Sequence, residues 1–423
     1  MWARAFGLRE THENFMTTSV TLSDPPSVVP ADPFDLGRLH QPVTEPIVPS
    51  SASPLRPAWV EIDLRKLRRN FELIQQDKPS SLQVLAVVKD DGYGHGALPV
   101  ARVALECGAR FLALSTLEEA ISLRDHGVKT PLLLLGDRQE SELPWCVAHD
   151  LTCCLSEARS AELLEALAAR AGKRVSVHLK VNTGMNRYGV RWTEAAALAQ
   201  RICSTKSLIL EGILSHFAQS DETDKTFANL QCARFNEALG GLDQHGITVK
   251  LRHLCNSGGF LDLPHARFDM VRLGILPLGV FPSSVCRRIA GIEAVMSVKA
   301  RIAAIQRLQP GDSVGYGMRF TATDARRIAV LPLGYGDGFP RVRNQGCALI
   351  HGRRAPLVGG VAMDALTVDI TDIPAAQLWD EAVIMGRQEE DEISVHEMAK
   401  LKSSVSYEVL TAWRSRLPRV YLT

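Results

Sequence analysis

The chain has 423 residues, with 48 Lys and Arg against 47 Asp and Glu, so its formal net charge is +1. That balance gives no basic footprint for nucleic acid or an anionic membrane, and a small-molecule partner is the expectation. At about 150 residues per domain, the length predicts two folded units, or one large barrel with an appendage.

Residues 1–57 are rich in Pro, Ser, Thr and Asp, as in Asp24-Pro25-Pro26 and Pro49-Ser50-Ser51. Such a segment cannot bury enough apolar surface to offset its ordering entropy, and a disordered extension is predicted. Met1 to His12 lacks the apolar core of a secretory signal, and no apolar run approaches the roughly 18 residues that span a bilayer. The nine cysteines are scattered without metal-ligand spacing, and Cys153-Cys154 falls in an apolar run. They read as reduced core thiols of a cytoplasmic protein that binds no metal.

From Trp59 onward, apolar β-branched runs alternate with helical patterns. Val84–Val88, Phe111–Leu114, Pro131–Leu135, Val175–Val181, Leu208–Leu214 and Val249–Leu254 are strand candidates, and Leu117–Asp125, Ala158–Ala171 and Thr193–Cys203 carry apolar residues at helical spacing. Thr116 is a suitable N-cap for the first of these helices. Repeated strand and helix units with near-continuous apolar strands predict an α/β fold with a parallel sheet, here a (β/α)8 TIM-like barrel over residues 58–290; an open doubly wound sheet is the alternative.

Past Gly291 the period becomes two, as in Val298, Ala300, Ile302 and Ala304, with turns such as Gln309-Pro310-Gly311-Asp312. Further strands are predicted over Arg327–Leu331, Ala348–Ile350 and Leu366–Ile370. Residues 291–423 therefore read as a mainly β C-terminal domain.

The sharpest local feature is Ala86-Val87-Val88-Lys89-Asp90-Asp91-Gly92-Tyr93-Gly94-His95-Gly96, a lysine at the end of an apolar strand before a glycine-rich turn. The C-terminal ends of barrel strands face the active-site mouth. A partly desolvated lysine there can lose its proton and form a Schiff base. Further strings follow: His178-Leu179-Lys180-Val181-Asn182-Thr183-Gly184-Met185-Asn186-Arg187, Leu214-Ser215-His216-Phe217-Ala218, Asn256-Ser257 and Val271-Arg272-Leu273-Gly274-Ile275. In the β region stand Val314-Gly315-Tyr316-Gly317, Gly334-Tyr335-Gly336-Asp337-Gly338, Val361-Ala362-Met363-Asp364 and Ser406-Tyr407-Glu408.

Together, and in this order, these strings resemble the signature blocks of the alanine racemase family over most of residues 57–423. The resemblance implies pyridoxal 5'-phosphate (PLP) held on Lys89, and a homodimer with shared active sites in which Tyr316 from the second subunit serves the opposite face of the substrate. Racemisation needs such a pair, because a single base tends to return the proton to the face it came from. His216 would link the tyrosine to Arg272, which would face the pyridine nitrogen without yielding a proton. The ring is then a weaker electron sink, which suppresses side reactions. Tyr93, Ser257, Tyr407 and the backbone N–H groups of Gly274 and Ile275 would bind the phosphate. Arg187 would contact the phenolic oxygen of the cofactor ring and, with the Met363 backbone, hold the substrate carboxylate, and Tyr335 would line the way in. Lys180 matches a family lysine that is often carbamylated.

Three positions depart from the family pattern: Asn182, Leu278 and Ala362. All are expected near the pocket, which puts serine beside alanine as a substrate. A PLP-dependent decarboxylase is disfavoured by Arg272 and by the lack of a glycine-rich phosphate loop. A non-catalytic PLP carrier would need neither Tyr316 nor residues 291–423.

Overall fold

Eight parallel strands, Gln83–Val87, Phe111–Leu114, Leu132–Leu134, Thr152–Leu155, Val175–Asn182, Leu208–Leu214, Leu251–His253 and Met270–Leu273, pair in chain order in a computed structural model, which describes residues 56–423. The first strand also pairs with the last, Leu85 opposite Arg272. The remaining seam is bridged by Asp269 N–H to Arg252 O and Arg272 N–H to Cys255 O, both 3.0 Å. The fold is therefore a nearly closed (β/α)8-type barrel. Phe111–Leu114, Leu132–Leu134, Thr152–Leu155 and Met270–Leu273 are buried at every position, as strands covered on both faces must be. Cys153 and Cys154 lie in one of them, buried as expected.

The helices follow local rules. Leu117–Asp125 opens on a capping box, with the Thr116 side chain accepting the Glu119 N–H and the Glu119 carboxylate returning to the Thr116 N–H. Ala158–Arg170 and Ala195–Cys203 occupy the other predicted spans, the latter after a 3-10 turn at Trp192–Glu194. Among the described residues no helix is long and apolar enough to cross a membrane. The extension expected at residues 1–57 lies outside the described residues except for Arg56 and Pro57.

A mainly strand region follows the barrel. Its larger sheet runs Arg353–Pro356, Cys347–Ile350, Glu381–Gln388, Met296–Arg301, Ala58–Asp63, Arg419–Leu422. The strand Ala58–Asp63, which falls in the span expected to form the barrel, is thus part of the other sheet, antiparallel to Met296–Arg301 and parallel to Arg419–Leu422. Alternation along Met296–Arg301 buries Met296, Val298 and Ala300 and leaves the residues between them half-buried. It ends at Ile302, and Ala304 begins a separate three-stranded sheet with Arg326–Leu331 and Leu366–Asp369. Two helices, Val395–Lys402 and Ser406–Thr411, complete the region.

Candidate active site

Lys89 directly follows the barrel strand Gln83–Val87 and Val88, and it opens a short helical turn, Lys89–Tyr93, with an unusual backbone. Asp90, Asp91, Gly92 and Tyr93 all have left-handed φ, between 51° and 61°. A left-handed residue with a side chain costs about 1–2 kcal/mol, least for Asp, so this turn needs external support. Gly92 N–H donates to Val88 O and Gly94 N–H to Asp90 O, both at 2.9 Å. The Glu119 carboxylate accepts the Asp90 N–H, and Asp91 Oδ1 accepts the Ala97 N–H at 2.8 Å. The turn delivers Lys89 and Tyr93 to the same cavity.

That cavity, of about 670 Å³, is lined by Lys89, Tyr93, Arg187, His216, Ser257, Arg272, Gly274, Ile275 and Tyr407. These are the nine residues that the family resemblance placed around the cofactor. Tyr93 and Tyr407 bring their rings to 6.2 Å between centroids. Burial pushes both phenols upward, so at neutral pH they are uncharged donors. A Cβ on Gly274 would collide with the Tyr93 hydroxyl, so the backbone approaches the hydroxyl cluster only because position 274 has no side chain. Gly274→Ala should therefore weaken retention of a phosphate-bearing cofactor by roughly 5- to 150-fold, an effect of about 1–3 kcal/mol for a clash in a packed site, measurable by equilibrium dialysis.

Four cationic side chains, Lys89, Lys180, Arg187 and Arg272, face this space. Burial, then the nearby Arg187, lowers Lys89 from the ordinary lysine range. Burial and Arg272 push Lys180 down to about 7. Arg272, 3% exposed, is brought to about 10 by burial and stays charged at neutral pH. No carboxylate contacts Arg272 among the described residues. Its Nη groups donate to the carbonyls of His253 (2.9 Å), Ser215 (2.6 Å) and Leu254 (3.1 Å), and to Nδ1 of His253 (3.1 Å) and of His216 (3.0 Å). Because a guanidinium only donates, both Nδ1 atoms must accept, which assigns the tautomer of both imidazoles. Burial, with Arg272 next, holds His216 well below its usual range and hence neutral.

Tyr316, Tyr335 and Met363 do not line this cavity in one chain. Tyr316 is 82% exposed at the tip of the hairpin joining Ser313–Val314 to Phe320–Thr321, and Met363 is 52% exposed. Tyr335 N–H donates to Ala362 O at 3.0 Å and Gly336 N–H to Met363 O at 2.8 Å, which ties these two loops together away from Lys89.

The sequence model of the alanine racemase N-terminal domain matches residues 62–282, and that of the C-terminal domain matches residues 295–421. The chain belongs to the alanine racemase family. An alanine racemase of Syntrophobacter fumaroxidans is 39% identical over 353 residues, covering 83% of this chain and 94% of the relative. One of Halothermothrix orenii is 36% identical over 367 residues, or 86% and 97% of the two chains. Among solved structures, the alanine racemase of Clostridium difficile 630 superposes with a TM-score of 0.83 at 30% identity, over 88% of this chain and 97% of that one. The Streptomyces coelicolor A3(2) enzyme gives 0.82 at 33% identity, over 87% and 98%.

Within this racemase fold, the three departures from the family pattern do not alter the cavity lining. The Asn182 carboxamide accepts the N–H groups of Gly184 (3.0 Å) and Asn186 (3.1 Å) and braces a turn. Leu278 is buried in the core, and Ala362 lies in a separate depression beside Tyr316. Leu135, Gly136, Tyr188, Val405 and Thr411 also line the cavity and were not anticipated. Leu135-Gly136 follows the barrel strand Leu132–Leu134, and the rule that active sites gather at such ends would have flagged it.

Proposed function

We propose that this chain is a PLP-dependent alanine racemase, an isomerase that interconverts L- and D-alanine in the cytoplasm as a homodimer. The observation that carries the reading is the cavity itself, which joins a desolvated lysine, a cluster of neutral hydroxyls and a buried arginine. The donor set suits PLP. Tyr93, Tyr407, Ser257 and the backbone of Gly274 and Ile275 would hold its phosphate, Lys89 its aldehyde carbon, and an Arg272 N–H its ring nitrogen. When bound, PLP supplies the electron sink that loosens the substrate's Cα–H bond.

The protein's part is to move protons. Lys89 Nζ, neutral once released from its covalent role, takes the Cα proton on one face. Tyr316 of the partner subunit gives a proton from its hydroxyl on the other, and the roles exchange in the reverse direction. His216 accepts from Arg272 through Nδ1, so its Nε2 carries the hydrogen and can donate to the tyrosine oxygen, favouring the phenolate. Arg187 would orient the substrate carboxylate together with the Met363 backbone of the partner subunit, and Tyr335 would line the approach. Lys180, brought to about 7, has the free amine population that carbamylation requires, and the product would brace Arg187.

Purified protein supplied with PLP and L-alanine should release D-alanine, and Lys89→Ala should not; no inversion of any amino acid in a panel overturns the reading. The dimer has a sharper test. Inactive Lys89→Ala and Tyr316→Phe proteins, reassorted by mild dissociation, form mixed dimers in half the cases, each with one of two sites intact. About a quarter of native activity should return if sites are shared between chains. No recovery, or a fully active monomer in sedimentation, refutes sharing.

A further inference from the structure

The contacts of Arg272 do not end at His253. His253 Nδ1 accepts from Arg272, so its hydrogen lies on Nε2, which points at His178 Nδ1 at 2.8 Å. His178 Nδ1 must therefore accept, and its own hydrogen lies on Nε2, which makes no hydrogen bond and stands 3.8 Å from Glu211 Oε2, an electrostatic contact only. Both imidazoles are fully buried, with ring centroids 4.9 Å apart, edge to face, while the Glu211 carboxylate is 19% exposed at the outer end. The chain of groups crosses four strands, Val175–Asn182, Leu208–Leu214, Leu251–His253 and Met270–Leu273, and so spans the seam where the barrel closes.

The local backbone is shaped for this relay. Pairing between Val175–Asn182 and Leu208–Leu214 slips by one residue between Val177 and His178, a bulge of the kind that re-aims a side chain. A Cβ on Gly212 would lie 2.8 Å from His178 Nδ1, so the strand beside the ring must be bare at that point. Two histidines and a carboxylate in a barrel wall are costly unless paired, and none of the three touches the cavity.

We propose that Glu211 and His178 are positioning residues of the racemase: acting through His253, they fix the one tautomer order that leaves a lone pair facing Arg272, and so hold its guanidinium charged and aimed. Arg272 carries a buried charge without a contacting carboxylate, and Glu211 is the outlying counter-charge, communicated through two neutral rings. With His253 and His216 both accepting, the guanidinium is clamped from two sides. Burial keeps His178 and His253 below the usual histidine range, while the partnership with His178 lowers Glu211. The other groups facing the relay are Lys250 and Ser176 at Glu211, Lys180 at His253, and Cys154, Cys255 and Arg187 at Arg272. None supplies a second carboxylate.

The function assigned to the relay rests on the racemase reading, and its test has an arm that does not. Full-length protein labelled with 15N at histidine, both cofactor-free and PLP-loaded, should show His178 and His253 as neutral Nε2–H tautomers near pH 7 in long-range 1H–15N correlation spectra. Glu211→Leu should redistribute the His178 tautomers. Wild-type His253 protonated on Nδ1, or no response of His178 to Glu211→Leu, overturns the relay whatever the activity. In the kinetic arm, His178→Gln keeps an acceptor for His253 and a donor toward Glu211, whereas His178→Leu loses both. The glutamine variant should stay within about threefold of native kcat, and the leucine variant should lose about tenfold or more with KM for alanine little changed. Equal losses in the two variants, or native kcat in both, refute the positioning role. Failure of the wild-type protein to racemise any amino acid would sink the racemase reading while leaving the tautomer result to stand alone.

Discussion

Tyr316→Phe should bind PLP as the native protein does, with the same visible absorption, yet racemise alanine roughly 10²- to 10⁴-fold more slowly, the range for removing one general acid or base. The residue makes no visible contribution to the cavity of its own chain: it is 82% exposed, on a turn where Gly315 (φ 71°) and Gly317 (φ 73°) take left-handed conformations on either side. The loop is anchored, since Asn344 donates to Arg319 O at 2.9 Å and the Ser313 and Thr321 hydroxyls meet at 3.0 Å across the hairpin. A large apolar ring held out on a braced loop, with Met318 72% exposed beside it, is unfavourable in a monomer and sensible where a second copy receives it. The loss should also be unequal between directions. Removing the phenol leaves Lys89 able to exchange protons on its own face, so exchange of the Cα proton with solvent deuterium should persist for one enantiomer and fall for the other. Equal slowing of exchange for both, or unchanged turnover, would falsify the two-sided assignment.

Much of this was legible because the signals are local. Strand position in the barrel follows from apolar runs between helices, and the nine cavity residues all sit in the strings that carry the family resemblance. What was not legible depends on distant pairing. Ala58–Asp63 is absent from the predicted strands, and nothing in its six residues says that its neighbours are residues 296–301 and 419–422. The left-handed run at Asp90–Tyr93 looks in sequence like an ordinary glycine-rich turn, since only Gly92 among its four residues advertises a positive φ. The relay from Arg272 to Glu211 was hidden for a further reason. His178 and His253 lie 75 residues apart, and only the pairing of both their strands with Leu208–Leu214 between them brings the rings to 2.8 Å. Tyr316 shows the reverse case, in which a motif assigned a role that one chain's geometry cannot fulfil alone.

Lys89→Ala should be the most damaging single change, lowering racemisation by more than about 10⁴-fold, because the same nitrogen is both the covalent anchor and one of the two bases. The fold should survive, since the side chain ends in the cavity and the left-handed turn is held by backbone bonds and by Asp91 and Glu119. PLP should still bind through the hydroxyl cluster and the arginine, but borohydride treatment should no longer attach it irreversibly to the protein, as intact-mass spectrometry would report. The electrostatics of the site give this lysine a pH signature. Covalent capture of PLP by cofactor-free protein requires the neutral amine, so its rate should rise with pH through the pKa of Lys89. Burial and Arg187 both lower that pKa, whereas Glu119 and Asp90 raise it, and the balance is downward. The midpoint should therefore fall below the ordinary lysine value of about 10.4. Arg187→Met removes a repelling charge, so it should move the midpoint up and slow capture at neutral pH even though Lys89 itself is intact. A midpoint at the solvated value in the native protein, or a downward movement in Arg187→Met, would contradict the assignment of Lys89 as a nucleophile activated by its surroundings.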